Sequence, residues 1–521
     1  MRRNSLSPWL PFIGSLFIFI VLFISFSFFF KIPPLDFFNA SQYKNPKNEI
    51  IYLIQHKYVD DVKLSKSDSS IDNILQQLDP HSVYITTNEL KSINEQMDGS
   101  FFGIGIKFNI FKDTLYVIDV VKGGPSENAG LEIGDKIIKV DKQTIAGKNF
   151  TEDSIRTLIT GENGSKVSLE ISRNNQLLSK IVERGLVNLN SVDASYMINS
   201  STGYIKISSF TLQTYHEFMV ALTDLKKKGL QKLILDLRDN GGGILDQSVE
   251  IADELLEGDK LITFTEGKHN PKKEYRCRRL GQFEKGKLMV LCNESSASAS
   301  EVLMGALQDW DRATIIGSRS FGKGLVQEQF ELSDHSAIRL TIARYFTPVG
   351  RCIQRSYKNG EKAYYDEIKN RIATDEKDSM TPTKKDIFFS SKGKKLLGGG
   401  GIFPDYKIFE KDRTLFLLDS IWDLNTINDV AFHIYLGQEK DLKKFKNIKE
   451  YDANFKITEA ITTELSNSLS IKKEIANTNT FNSLKEYIKQ KIASYYFSEN
   501  EFIELLNAHS SVYQKALELS K

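Results

Sequence analysis

The sequence has few of the residues that mark several common protein classes. It contains only three cysteines, Cys277, Cys292 and Cys352, and they lie far apart. So few cysteines exclude a scaffold held together by disulfides, and their spacing does not suit a structural zinc site. The net charge is only +2, from 69 Lys+Arg and 67 Asp+Glu, so the composition gives no reason to expect a nucleic acid partner.

Histidine is scarce as well. None of the seven histidines has another four residues away, which is the spacing that holds zinc on a metallopeptidase helix. We therefore expect no metal and no other cofactor. With 40% hydrophobic and 26% charged residues the chain has the composition of a folded globular protein, and its 521 residues are enough for three or four domains.

One long apolar run is present near the N-terminus. Residues 9–30 carry no charge, follow Arg2 and Arg3, and precede Lys31. A run of this length predicts a membrane-spanning helix, and the two arginines favour a cytoplasmic N-terminus with all later residues on the other side. The alternative is a cleaved signal peptide, although the run is longer than usual for one and no A-x-A-like site follows it.

The rest of the chain divides into regions by its residue pattern. Apolar residues at helical spacing predict a small helical region over 32–99. Short β-type runs between glycine turns predict a β module over 100–186. Strands that alternate with helical segments predict an α/β domain over 187–410, with a charged surface insertion at about 361–395. Residues 411–521 contain one glycine and no proline, which favours helices.

The β module carries a specific signal. Gly103 and Gly105 interrupt an apolar run before a strand, and glycines let consecutive backbone N–H groups converge on one carboxylate. With the turn 129–138 and the helix 153–159, these residues resemble a PDZ domain, although the glycines alone are also explained by hairpin turns. The resemblance implies that an apolar C-terminal tail binds as an added strand beside residues 106–108. The loop and groove that receive it would be formed by Phe102, Gly103, Ile104, Gly105, Ile106, Ile155 and Leu158.

A serine-rich turn lies between a strand and a helix. The apolar strand 288–291 leads through the sequence SASASE, residues 296–301, into apolar residues at helical spacing. A serine in this turn is well placed for nucleophilic attack, because the helix N-terminus offers unpaired N–H groups to a developing oxyanion. The alternative is that these serines only cap the helix.

Together with the glycine-rich segment 317–327, the serine turn resembles the C-terminal processing peptidases, which are Ser/Lys endopeptidases that carry a PDZ domain. The resemblance spans most of residues 78–405. Besides the PDZ segment it rests on LDPHS (78–82), DLRDNGGG (236–243), SASASE (296–301), GALQD (305–309), FGKG (321–324), RYFTPVGR (344–351) and GGIFPD (400–405).

This resemblance implies a role for each residue of the site. Ser298 would be the nucleophile, Lys323 its general base, and Gln327 the residue that orients the lysine. The oxyanion hole would combine the N–H of Ala299 with one N–H of the turn 241–243, for which Gly242 and Gly243 are the candidates. The base must lose its proton near neutral pH, so its pKa has to fall by about 3 units from the usual ~10.4, as burial can achieve.

The resemblance also implies an overall organisation and a function. We expect a multidomain α/β and β protein with an N-terminal membrane helix, a small helical region, a PDZ domain, an α/β serine-peptidase core and a helical C-terminal region. It would be a serine endopeptidase that recognises the apolar C-terminal tails of envelope proteins. The expected location is the bacterial inner membrane, single-pass, with the catalytic part in the periplasm or on the outer side; the alternative is a cleaved signal peptide and a soluble periplasmic protein. A homo-oligomer or an adaptor is a further expected partner, and the rival function is an inactive membrane-tethered PDZ scaffold.

Two other enzyme classes fit less well. The spacing from Gly317 to Lys323 nearly completes a phosphate-binding loop, but Gly324 stands where serine or threonine would bind magnesium. Residues 326–332 also alternate like a strand, where such a loop needs a helix. A serine triad based on histidine stays open, with His335 near the lysine motif.

Overall fold

The computed structural model describes residues 45–62, 64, 70–373, 384–410, 424–469 and 479–521. The predicted membrane helix, residues 9–30, lies outside this part of the chain. Among the described residues, no helix combines the length and the apolar character that crossing a membrane requires. On this finding we correct the predicted single-pass localisation in the inner membrane with a periplasmic catalytic part, and we propose no membrane partner.

Within its described residues, the N-terminal region contains helices and also supplies a strand. Its elements are α1 (Pro46–Lys57), α2 (Ile71–Leu75), β1 (Val83–Ile85) and α3 (Thr87–Asp98). The side chain of Asn45 caps α1, and Pro46 takes its first position, where a missing N–H costs little. A capping box between Thr86 and Glu89 begins α3, and left-handed Gly99 ends it.

The β module is an antiparallel sheet with one main helix. Its elements are β2 (Ser100–Gly103), β3 (Ile106–Phe111), β4 (Thr114–Val120), α4 (Pro125–Asn128), β5 (Lys136–Val140), β6 (Gln143–Thr144), α5 (Glu152–Ile159), β7 (Lys166–Arg173), β8 (Gln176–Glu183) and β9 (Gly185–Asn188). The sheet order is β3-β4-β5-β7-β8, with β6 beside β5, while β2 and β9 form a separate ribbon. Alternate residues of β7 face inward, with Val167, Leu169 and Ile171 buried, because side chains alternate across a strand. The ladder leaves β3 at an edge of the sheet.

The α/β domain is built on a six-stranded sheet of order β10-β11-β12-β15-β16-β21, parallel from β11 onward. Its strands are β10 (Val192–Met197), β11 (Thr202–Ile207), β12 (Lys232–Asp236), β15 (Lys287–Cys292), β16 (Thr314–Gly317) and β21 (Tyr406–Lys407), and its helices are α6 (Thr214–Lys227), α7 (Leu245–Leu255) and α8 (Ala299–Asp309). The central strands are apolar at successive positions because both of their faces are covered. In β15, Val290 packs in the cluster that includes α7 and α8, whereas Met289 and Leu291 pack against C-terminal helices.

A second, antiparallel sheet has the order β1-β18-β13-β14, and β17 also pairs with β18. Its remaining strands are β13 (Leu261–Glu266), β14 (Lys273–Arg276), β17 (Leu325–Glu331) and β18 (Ala337–Phe346). The strand at 325–331 confirms that the lysine-containing segment does not lead into the helix that a phosphate-binding loop requires. Because β1 and β17 both pair with β18, this strand brings the N-terminal region close to the lysine segment.

The segment 361–395, predicted as a charged surface insertion, has regular structure in its described parts. It contains helix α9 (Glu361–Ala373) and a hairpin of β19 (Ile387–Phe389) and β20 (Lys395–Leu397). Tyr364 on α9 is 2% exposed, and Glu367 pairs with Arg319 and Arg355 of the domain. Most other described residues of the segment are exposed or partly exposed, so it lies at the surface, while Tyr364 and Glu367 attach it to the domain.

The C-terminal region is helical, as predicted. Its helices are α10 (Leu424–Leu442), α11 (Ile448–Asn454), α12 (Glu459–Ser468), α13 (Asn479–Tyr496), α14 (Glu499–His509) and α15 (Ser511–Ser520). Helix α10 packs against the β module, where Phe432 shares a cluster with Tyr116. Helices α14 and α15 cover the large sheet, with Ile503 and Tyr513 among the buried residues.

Candidate active site

Ser298 lies in the turn between β15 and α8, as the sequence predicts. Its backbone has φ 56° and ψ −114°, a conformation that residues other than glycine rarely adopt. Gly242 lies directly beside it, since a β-carbon on this glycine would come within 2.7 Å of the Ser298 β-carbon. The strained turn and the missing side chain at 242 leave Ser298 partly exposed at the N-terminus of α8.

A buried carboxylate, Glu301, joins the serine turn to the lysine loop, which is the segment 318–324 between β16 and β17. It accepts hydrogen bonds from the backbone N–H of Ser298 at 2.8 Å and of Lys323 at 2.9 Å. It also accepts the N–H of Gly322 at 2.7 Å and the hydroxyl of Ser320 at 2.5 Å. Burial raises the pKa of Glu301 to about 7, although all four hydrogen bonds act to lower it.

Tyr345 makes a second connection between the same two segments. Its hydroxyl lies 2.5 Å from the carbonyl oxygen of Lys323 and 3.1 Å from that of Ser298. Tyr345 comes from β18 and is 2% exposed. The backbone at Ser298 and the backbone at Lys323 are therefore held both through their N–H groups and through their carbonyl groups.

Lys323 has a depressed pKa. Burial lowers the pKa of this lysine to about 8, and Arg339 lowers it as well, whereas Asp79 and Glu301 raise it. Its Nζ donates to Oε1 of Gln327 at 2.8 Å. Within the described residues no hydrogen bond joins Ser298 Oγ to Lys323 Nζ.

Gln327 is positioned by the N-terminal region. Its Nε2 donates to the backbone carbonyl oxygen of His81, in the turn that precedes β1. The imidazole of His81 lies 3.0 Å from the hydroxyl of Tyr364. Burial lowers the pKa of His81 to about 3, with smaller effects of Lys323 and Arg355, so this imidazole is neutral at neutral pH.

The backbone N–H groups near Ser298 differ in whether they already donate a hydrogen bond. Gly242 donates its N–H to Oδ1 of Asn240 at 2.8 Å. The N–H groups of Ala299 and Gly243 donate to no other group in the part of the chain that the structure describes. Of the two predicted glycine donors, Gly243 is therefore the one with an unused N–H.

Helix α9 closes the lysine loop from outside. Arg371 donates to the carbonyl oxygens of Arg319, Ser320 and Phe321, the residues that precede the lysine motif. The side chain of Glu367 pairs with this arginine at 3.1 Å, and also with Arg319. Sequence reasoning missed this contribution, since no pattern in a charged segment indicates which of its residues turn inward.

Some of the predicted tail-binding residues are accessible to a peptide, and others are buried in the core of the β module. The N–H groups of Ile104 and Gly105 make no hydrogen bond among the described residues, so they are available to a carboxylate. Ile106 and Leu158 are partly buried, and Phe102 is 42% exposed.

Ile104 and Ile155, in contrast, belong to the core of the β module, with only 1% and 2% exposure. They support the predicted groove from below instead of lining its open surface. Gly103 is buried at the end of the ribbon strand β2, where it pairs with Gly185.

These features define a class of protein: an α/β domain with a serine at a strand-to-helix turn, a partly buried lysine of lowered pKa on a loop connected to that turn, and a small β module of PDZ type. Residues 201–360 match the model of peptidase family S41, and residues 103–183 match the model of the PDZ domain. The chain belongs to peptidase family S41.

Curated relatives carry names that fit this family. A "Carboxy-terminal-processing protease" of Bartonella bacilliformis is 34% identical over 318 residues, which are 59% of this chain and 71% of the relative. A "Probable CtpA-like serine protease" of Staphylococcus epidermidis is 34% identical over 321 residues, 60% of this chain and 64% of the relative. The match therefore falls just short of two thirds of that relative's length.

Among solved structures, the photosystem II D1 C-terminal processing protease is similar, with 27% sequence identity and a TM-score of 0.36. The match covers 61% of this chain and 90% of that one.

Proposed function

We propose that this chain is a serine endopeptidase that cleaves proteins after binding their C-terminal tails in its PDZ domain. The observation that carries the proposal is the double connection between the Ser298 turn and the Lys323 loop, through Glu301 and Tyr345. A scaffold has no need to hold a serine and a partly buried lysine in one fixed arrangement.

The lowered pKa of Lys323 supports its role as general base. With a pKa of about 8, roughly a quarter of the lysines would be neutral at pH 7.5, against about one in a thousand for an ordinary lysine. A neutral amine in a buried site can take the proton of a serine hydroxyl. Gln327 accepts one N–H of this amine, which helps to direct the lone pair elsewhere.

In the first half of the proposed reaction, Ser298 Oγ attacks the carbonyl carbon of the scissile peptide bond while Lys323 Nζ takes the hydroxyl proton. The oxyanion of the tetrahedral intermediate is bound by the free N–H groups of Ala299 and Gly243. The C–N bond then breaks, and Lys323 gives its proton to the leaving amine. The product is an ester between Ser298 and the substrate's acyl group.

In the second half, water attacks the ester carbonyl while Lys323 takes a proton from that water. The ester bond breaks, and Ser298 Oγ recovers the proton from Lys323. The serine hydroxyl and the neutral lysine are then both restored, so the site returns to its starting state.

The PDZ domain is proposed to select the substrate. The free N–H groups of Ile104 and Gly105 would bind the terminal carboxylate, and the open edge of β3 would pair with the peptide as an added strand. Apolar tails are expected because Ile106 and Leu158 are the partly buried side chains of the predicted groove. The expected oligomer or adaptor is not tested by a single chain and stays a prediction.

The test uses the full chain with an unstructured protein that ends in an apolar tail, and products are identified by mass spectrometry. Wild type should cleave it, while Ser298→Ala and Lys323→Ala should not. A substrate with an amidated C-terminus should be cut more slowly, because it has lost the carboxylate. Cleavage by Ser298→Ala would refute the nucleophile, and an inert wild type that also fails to react with a fluorophosphonate would favour a scaffold.

A further inference from the structure

A buried turn of the N-terminal region, residues 79–82, has no role in the proposed reaction but reaches the site. Asp79 and Ser82 are 1% and 4% exposed. The carboxylate of Asp79 accepts the N–H of His81 at 2.9 Å and the hydroxyl of Ser82 at 2.6 Å, which fixes the shape of the turn. A closed network of this kind in the interior is rigid because every donor in it has an acceptor.

The same turn is tied to the fold at both ends. Before it, the N–H of Asp79 donates to the hydroxyl of Tyr58 at 2.9 Å. After it, Oγ of Ser82 accepts the N–H of Thr341 on β18 at 3.1 Å. Thr341 is paired with Gln327 across the ladder, next to a register shift between residues 326 and 327. The turn is therefore fixed to the strand that carries the partner of Gln327.

The turn is connected to Lys323 through the side-chain amide of Gln327. The carbonyl oxygen of His81 accepts a hydrogen bond from Nε2 of Gln327, and Oε1 of the same amide accepts from Lys323 Nζ. An amide has one acceptor end and one donor end, so an acceptor held at the Nε2 side determines which end faces the lysine. A reversed amide would present its NH₂ group to Lys323 and compete with Ser298 for the lone pair of the amine.

We propose that the turn Asp79–Ser82 is a positioning element of the active site, which orients Lys323 by holding the carbonyl oxygen of His81 against the amide of Gln327. The effect of the turn on hydrolysis rests on the proposed function, whereas its effect on the orientation of Lys323 rests on the geometry alone. It gives the N-terminal region a part in catalysis that does not require it to touch the substrate.

The test is a double-mutant cycle with Ser82→Ala, Gln327→Ala and both together in the full chain. Ser82→Ala should lower kcat by on the order of 10- to 100-fold through misplacement of the base, with KM for the tailed substrate nearly unchanged. When Gln327→Ala is already present, Ser82→Ala should lower kcat little further, because the amide that connects the turn to Lys323 has already been removed. The matched control is Ser336→Ala, which removes the hydroxyl of a buried serine directly before β18 and should leave kcat unchanged.

A second readout does not depend on hydrolysis. The titration of Lys323, followed by ¹³C NMR of labelled lysine, should move in the same direction in Ser82→Ala, Gln327→Ala and the double variant, and by equal amounts in the last two. Tyr58→Phe keeps the buried ring and removes only the hydroxyl that accepts from Asp79, so it replaces Ser82→Ala if that variant does not fold.

The outcomes separate the two proposals. If Ser82→Ala and Gln327→Ala have additive effects on kcat, or Ser336→Ala is equally damaging, the turn is merely structural. If the wild type is inert but the lysine titration follows the expected pattern, the proposed function fails and the positioning role stands. A lysine titration that changes in Gln327→Ala but not in the folded turn variant overturns the positioning role.

Discussion

The carboxylate of Glu301 accepts a hydrogen bond from the backbone N–H of Lys323 at 2.9 Å, across 22 positions of sequence. The same carboxylate accepts the N–H of Ser298 at 2.8 Å. One buried side chain thus fixes the separation of the two backbone segments that carry the proposed dyad. It touches neither reacting group, so we regard it as a positioning residue.

We expect Glu301→Gln to damage both stability and activity. Each carboxylate oxygen accepts two hydrogen bonds, so an NH₂ group at either position would leave two donors unpaired. Two buried unpaired donors lower the free energy of unfolding by about 2 to 6 kcal/mol. Denaturant unfolding and peptide hydrolysis check this, with Glu294→Gln in the same turn as the control. Unchanged hydrolysis in Glu301→Gln would contradict the positioning role.

The pH dependence of hydrolysis should report Lys323. The base must be neutral, and its pKa is about 8, so kcat/KM should rise with pH through about 8 and then level off. An ordinary lysine would place this rise near 10.4. The binding of a tail peptide to the PDZ domain, measured over the same range by fluorescence polarisation, is the control and should not follow this curve. A rate that is flat between pH 7 and 9 would rule out Lys323 as the base.

Arg339→Gln should move the pH-dependent rise of kcat/KM to higher pH. Arg339 is a positive charge that lowers the pKa of Lys323, so its removal favours the protonated lysine. The comparison is Arg344→Gln on the same strand, whose arginine pairs with Asp60. The pH profile of kcat/KM is the measurement, and a shift to lower pH in Arg339→Gln would show that the assigned electrostatic effect is wrong.

Arg371→Ala on α9 should lower kcat by on the order of tenfold or more, because the loop before Lys323 loses its donor to three carbonyl groups. Lys369→Ala removes an exposed basic residue from the same helix and serves as the matched control. Circular dichroism shows whether each variant is folded. Equal activity of both variants would mean that α9 has no part in positioning the lysine loop.

Short motifs in the sequence predict the dyad, but they do not show which residues hold it in place. Ser298 and Lys323 are predicted because each lies within a short motif of characteristic sequence. The residues that hold the dyad lie in other motifs far along the chain: Tyr345 is 47 positions after Ser298, and the His81 carbonyl is 246 positions before Gln327. Contacts over such separations depend on how strands pair, which local patterns do not specify.

The charged segment shows a different limit of sequence reasoning. Glu367 binds Arg319 and Arg355 of the domain as well as Arg371 on α9 itself, and these pairs hold one side of the helix against the domain. Composition reports how many charges a segment has, whereas burial depends on whether they find partners. The buried position of Tyr364 could not be read from its neighbours in sequence.

The two-sided burial of the large sheet has a consequence for biosynthesis. One face of β15 is covered by α7 and α8, but the other is covered by residues such as Ile503 and Tyr513, more than 200 positions later. During translation the chain emerges from its N-terminal end, so this face stays open to water long after the serine and lysine have left the ribosome. The peptidase core cannot complete its interior until α14 and α15 have been made.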